Sequence, residues 1–168
     1  MLKDIELRSN FLKNFIFGVE DSLVSTVGLL SGVVVGGVDQ ATVILTGVVL
    51  IFVEALSMGV GSFLSESHGQ EYKVKAKIDP KPVIAGGIIM FVSYFIAGFI
   101  PLAPYLIFPI SQAFVFSAAL SLMALFFLGA WSAKVSQISI FSMGMRMMII
   151  GGLAIGIGIL ASKLVQAL

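Results

Sequence analysis

FIFGVEDSLVSTVGLLSGVVVGG, residues 15–37, is apolar along almost its whole length and long enough to cross a bilayer, which takes about 20 such residues. It also holds two acidic residues, Glu20 and Asp21, with no Lys or Arg beside them. A carboxylate at that depth costs on the order of 2.5–3.5 kcal/mol on insertion scales. Such groups face a bundle interior or a wet cavity, and they mark ion or proton pathways. The next apolar stretch, Ala41–Leu64, repeats the pattern, with Glu54 deep inside and Met58 one helical turn further on.

Working outward, three more spans are expected at Val83–Phe108, Ala113–Trp131 and Met147–Leu168. The chain of 168 residues is 58% hydrophobic and only 11% charged, and its mean hydropathy is +1.09. Soluble domains carry about 25% charged residues. The fold class is therefore all-α, an integral membrane bundle of five transmembrane helices, read as a single transmembrane domain over 1–168. A net charge of +1 gives no reason to expect a nucleic-acid partner; membrane lipids are the surroundings expected. The lack of cysteine excludes disulfides, thiolate metal sites and Cys catalysis. The N-terminal run, interrupted by Lys13, Glu20 and Asp21, does not read as a cleaved signal peptide. Residues 1–13 alternate charged and apolar side chains, as an interfacial amphipathic helix does.

Gly36-Gly37-Val38-Asp39-Gln40 reads as a tight turn, and residues 65–82 as the longest loop and the only highly charged one. Pro101, Pro104 and Pro109 are expected to end or bend span three, leaving a turn at the membrane edge. With the N-terminus in the cytosol, Lys3, Arg8, Lys13, Lys73, Lys75, Lys77, Lys81, Lys134 and Arg146 fall on the cytosolic side and only Lys163 on the other. By the positive-inside rule this bias supports an odd number of spans and a C-terminus outside or luminal. Trp131 falls at the cytosolic end of span four, where an interfacial aromatic belongs.

Helical periodicity places Asp21, Ser25, Gly28 and Gly32 on one stripe of span one, opposite Leu23, Val27, Leu30 and Val34. In span two the stripe is Glu54, Met58, Gly61 and Ser65, flanked by Ser57 and Ser62. If the two stripes meet, they make a narrow polar groove with two carboxylates and one thioether. Oxygen ligands suit hard divalent ions, and the sulfur tilts the site toward a later metal such as Fe²⁺. Asp21, Glu54, Met58 and Glu20 are the candidate metal residues, although Met58 also suits core packing and Glu20 a solvated headgroup position. Glu66, His68 and Glu71 could form a cytosolic gathering point for metal, against the simpler reading of a solvated loop. Met143, Met145, Met147 and Met148 read as an interfacial packing cluster. The small-residue repeats Gly28/Gly32/Gly36, Gly152/Gly156 and Ala154/Gly158 suit close helix packing, within one chain or between two copies.

Four stretches together resemble the vacuolar iron transporter family, which includes nodulin-like and prokaryotic members. They are GVEDSLVSTVG (18–28), EALSMGVGSFLSE (54–66), GFIPLAPY (98–105) and GGLA (151–154). The resemblance implies a homodimer that moves Fe²⁺, and often Mn²⁺, out of the cytosol in exchange for protons; the metal is the transported ion, with no permanently bound cofactor. It also implies that Asp21 and Met58 occupy the family's intramembrane ligand positions and Glu54 an acidic position of prokaryotic-like members. The expected location is a prokaryotic plasma membrane, or a vacuolar-type membrane in a eukaryote. The chain departs from the family pattern with Glu20-Asp21-Ser22 in place of Asn-Asp-Gly and Gly61-Ser62 in place of Gly-Glu. Residues 67–82 are also too short for the cytosolic three-helix metal-binding domain of plant and yeast-like members. The shortened loop leaves a second reading, a non-transporting scaffold or partner subunit. An intramembrane hydrolase is disfavoured, because no nucleophile or metal-site His accompanies the carboxylates.

Overall fold

Two glycines and an aspartate set the first corner of the molecule. α1 (Leu2–Val35) ends where Gly37 takes a φ of +81°, a conformation that side chains rarely adopt. Asp39 then caps α2 (Gln40–Val74), accepting a 3.0 Å hydrogen bond from the Thr42 N–H and a 2.8 Å bond from its hydroxyl. α3 (Pro80–Ile107), α4 (Ile110–Ser136) and α5 (Ile140–Gln166) follow, each joined to the last by a short connection. This computed structural model describes the backbone of residues 2–168 and the side chains from Leu7 onward. Among the described residues there are five helices, each long and apolar enough to cross a membrane, and no strand.

Three boundaries differ from the sequence reading. The expected loop 65–82 is mostly helix, because nothing before Lys75 stops α2; at Lys75 the backbone turns left-handed, and only a short connection to Asp79 remains. At 35 residues α2 measures about 52 Å, well beyond a hydrocarbon core of about 30 Å. Likewise α5 begins at Ile140, seven residues before the expected Met147 and separated by two residues from the left-handed Gln137 that ends α4. The interfacial segment expected over 1–13 is, from Leu2 on, backbone continuous with the first span; Met1 and the side chains of 1–6 lie outside the described residues.

A fourth difference concerns the prolines. Pro101 and Pro104 do not end span three; both lie inside α3. A proline in a helix removes one N–H, and in a membrane the helix persists when neighbours satisfy the backbone groups left over. Pro101 and Pro104 take the donors from the Ala97 and Ile100 carbonyls, and beside them the Ser117 hydroxyl ties α4 to α3 by donating to the Pro101 carbonyl at 2.7 Å. Pro109, which has no N–H, leaves the Tyr105 carbonyl without its intrahelical donor. The Gln40 amide supplies one at 2.6 Å and also donates to the Phe108 carbonyl at 3.0 Å.

Lipid tails are as apolar as leucine, so helices in a membrane associate through close packing and hydrogen bonds rather than water exclusion. α1 is the hub of that packing. Gly28 and Gly32 lie against Ala154 and Gly158 of the parallel helix α5, and a Cβ on Gly32 would stand 2.7 Å from the Gly158 carbonyl oxygen. The small-residue repeats of spans one and five therefore meet within the chain, whereas Gly152 and Gly156 face open space. On another side α1 meets α3, where the Ser22 hydroxyl donates to the Tyr94 carbonyl at 2.6 Å. α2 packs antiparallel on α3 through Gly59 and Gly87, whose backbones touch. Leu23, Val27 and Leu30 are fully buried, so that face of α1 serves neighbouring helices rather than lipid. Met147 is buried with Leu23 and Leu125, with Met143 packed alongside. Trp131 stays half-exposed, edge-on to Phe15 at 5.7 Å.

A candidate metal site on the first helical hairpin

The turn after α1 makes α1 and α2 an antiparallel hairpin, and residues equidistant from the turn lie level with each other. Asp21 lies fourteen residues before Val35, the last residue of α1, and Glu54 lies fourteen residues after Gln40, the first of α2. At 1.5 Å per residue both are about 21 Å from the turn, well inside a core of about 30 Å. The register is pinned at the far end by Asn10, whose amide donates to Glu66 at 3.2 Å.

Asp21 and Glu54 are each half-buried, and their charges fall within electrostatic range of each other and of the Tyr94 hydroxyl on α3. That hydroxyl shares a 2.7 Å hydrogen bond with Ser25, one turn along α1 from Asp21. Helical periodicity alone does not single out Tyr94. A tyrosine in the middle of an apolar span was the available signal, because a buried phenol needs a polar partner. Glu20 is half-buried next to Asp21, and Met58 is half-buried one turn from Glu54.

The two polar stripes do not meet along their whole length. Gly28 and Gly32 are closed over by α5, while Gly61 has open space around it and Ser57 and Ser65 are exposed. The polar part of the hairpin is thus a short patch around Asp21, Ser25, Glu54 and Tyr94. Two apolar grooves flank α3, one against α2 and one against α1, and neither is lined by Asp21 or Glu54. Among the described residues no three His, Asp or Glu converge on one point. One chain offers the patch two carboxylates, hydroxyls and, one turn away, a thioether.

The three residues expected to gather metal are placed separately. Glu66 is tied to Asn10 and accepts a 2.7 Å bond from Gln70. His68 is exposed, and two helical positions on from Glu66 it lies on the other side of α2. Glu71 is half-buried.

Five apolar helices, with acidic side chains held level inside two of them, define an integral membrane protein of the transporter kind. The VIT family model matches residues 12–81 and 68–163, and the chain belongs to that family, the vacuolar iron transporters. The two matched segments overlap at the end of α2 and its connection to α3. No curated protein matches the chain. Its class is accordingly a membrane transporter of metal ions.

Proposed function

We propose that this protein exports Fe²⁺ or Mn²⁺ from the cytosol in exchange for protons, with Asp21, Glu54 and Met58 as ligands of the ion in transit. The observation that carries the reading is the level placement of Asp21 and Glu54 on two helices, within electrostatic range and with no Lys or Arg in either span. A divalent ion passing between them finds two negative oxygens, and protons replace it when it leaves. Glu20, beside Asp21, offers a further oxygen on one side of the patch. Ions such as Mn²⁺ favour octahedral oxygen coordination. One chain supplies only part of that shell, so water or a second copy of the chain completes it; this is the role of the homodimer in the proposal.

The orientation proposed follows from charge. Lys13, Lys73, Lys75, Lys77, Lys81, Lys134 and Arg146 lie at the end of the bundle where α1 starts, and Lys163 at the other. The positive-inside rule puts the first end in the cytosol. The membrane proposed is a prokaryotic plasma membrane.

The test is Fe²⁺ and Mn²⁺ flux into proteoliposomes under a pH gradient, wild type against Asp21→Ala. The proposal expects flux that needs the gradient and disappears in the variant. Well-folded wild-type protein that moves neither metal would instead favour the scaffold reading, and flux unchanged in Asp21→Ala would remove this site from the pathway.

A further inference from the structure

The open groove between α2 and α3 has a volume of about 400 Å³, within the size range of small-molecule sites, roughly 300–1,000 Å³. Its floor is Gly59 and Gly87; the absence of side chains there brings the two backbones together and leaves a trough between Val60 and Phe63 on α2 and Ile84 and Phe91 on α3. The trough is apolar throughout and opens on the membrane side, between the exposed side chains of Leu56 and Ile88.

Directly past its end lies the most basic segment of the chain. Lys73 is in the last turn of α2, Lys75 and Lys77 are in the connection, and Lys81 is in the first turn of α3; all four are exposed. Ile84 of the groove is three residues from Lys81, about 4.5 Å along the helix. Two acids share the stretch, half-buried Glu71 on α2 and Asp79, which caps α3 by accepting from the Lys81 N–H at 3.1 Å, so four lysines against two carboxylates leave it net basic. Such a net basic cluster attracts an anion. A basic cluster at the end of an apolar trough matches the two parts of an anionic lipid.

We propose that the α2–α3 hairpin holds one anionic phospholipid, with an acyl chain in the Gly59–Gly87 trough and the headgroup phosphate against Lys73, Lys77 and Lys81. Charge complementarity selects this occupant over a second copy of the chain, which would bring the same lysines to the same end. The assignment does not depend on the transport reading, and its readout is lipid rather than metal.

The experiment incubates purified protein with equal amounts of phosphatidylglycerol and phosphatidylcholine carrying the same oleoyl chains, then counts retained lipid by native mass spectrometry. Wild type is expected to keep phosphatidylglycerol with a preference of roughly tenfold or more, since each lysine near an anionic headgroup contributes. The triple variant Lys73→Gln, Lys77→Gln, Lys81→Gln, confined to exposed side chains, should bring the preference close to parity. Ile84→Trp, which fills the trough, should reduce retention of both lipids. Equal retention of the two lipids by wild type, or a preference that survives in the triple variant, overturns the proposal. So does an Ile84→Trp protein that keeps its lipid but changes oligomeric state, because the trough would then belong to a second copy.

Discussion

The Ser25 hydroxyl and the Tyr94 phenol lie 2.7 Å apart, bridging α1 and α3 one turn from Asp21. Ser22, one turn back, reaches the Tyr94 carbonyl as well, so α1 holds this tyrosine at both its backbone and its ring. Interhelical hydrogen bonds in membranes average about 0.6 kcal/mol and reach about 1.7 kcal/mol. Tyr94→Phe should therefore lower stability by about 1 kcal/mol in a detergent unfolding measurement. It should reduce metal flux without abolishing it, since Asp21 and Glu54 remain. Complete loss of flux in folded protein would make the phenol a ligand in its own right; unchanged stability and flux would remove it from the site.

Met58 distinguishes metals in the proposed pathway. Its thioether is the one soft donor near two hard carboxylates, and sulfur favours later metals over Mn²⁺. Met58→Leu keeps volume and apolar character. Fe²⁺ flux should fall relative to Mn²⁺ flux when both are measured in the same vesicles. An unchanged ratio would mean that Met58 only packs.

The hairpin shows what the sequence carried and what it did not. Span number, the turn at Gly37 and the acidic positions were legible, because the cost of a charge in hydrocarbon is a property of the residue and its depth. Helix ends were less legible: α2 runs on through Glu66 and His68 because polar residues are tolerated in a helix once it leaves the membrane. Which stripe meets which helix is a matter of three-dimensional packing. Periodicity put Ser25 and Gly32 on one face, yet Ser25 meets α3 and Gly32 meets α5. The turn expected from Pro101 to Pro109 is helix as far as Ile107, and the donors that hold its end, Ser117 and Gln40, lie on other helices where sequence periodicity does not place them.

Gln40 is the residue that makes the end of α3 possible. Gln40→Ala leaves the Tyr105 and Phe108 carbonyls without their side-chain donor. Leaving such a group unsatisfied costs about 1–3 kcal/mol. The variant should unfold at a lower temperature, while Gln40→Glu, which cannot donate to a carbonyl when ionised, should rescue nothing. Stability equal to wild type in Gln40→Ala would show that water serves these carbonyls equally well.

Asp39 gives the fold a pH dependence outside the membrane. The Thr42 N–H, and then the Thr42 hydroxyl, hold its carboxyl below the ordinary value of 3.8. With the folded-state pKa depressed, the carboxylate stabilises the folded state above about pH 4, and this contribution is lost as pH falls through the lowered value. Asp39→Asn keeps a capping oxygen without the charge. The stability difference between wild type and Asp39→Asn should be constant near neutral pH and shrink below about pH 4. A difference that persists undiminished into strong acid would detach the effect from the titration of Asp39.

The glycines of α5 predict a sharp contrast within one helix. A Cβ at Gly158 would collide with the Gly28 carbonyl oxygen, an atom of the α1 backbone that no rotamer change can move aside. Gly156, two residues earlier, has nothing within 4 Å of the same added atom. Gly158→Leu must push α5 off α1, with loss of the Ala154 and Gly158 contacts. The Gln166 donation to the Val35 carbonyl, 2.9 Å long near the end of the seam, goes with them. Gly156→Leu adds a side chain to an outward face and removes a helix-weakening glycine, which costs about 1 kcal/mol relative to good helix formers. Thermal unfolding in detergent should therefore show Gly158→Leu strongly destabilised and Gly156→Leu equal to wild type or slightly more stable. Chemical cross-linking of Gly156→Leu adds a second reading. An intact monomer fold that no longer yields a cross-linked pair would place the outward glycine face of α5 between two copies, and unchanged cross-linking would leave that face to lipid.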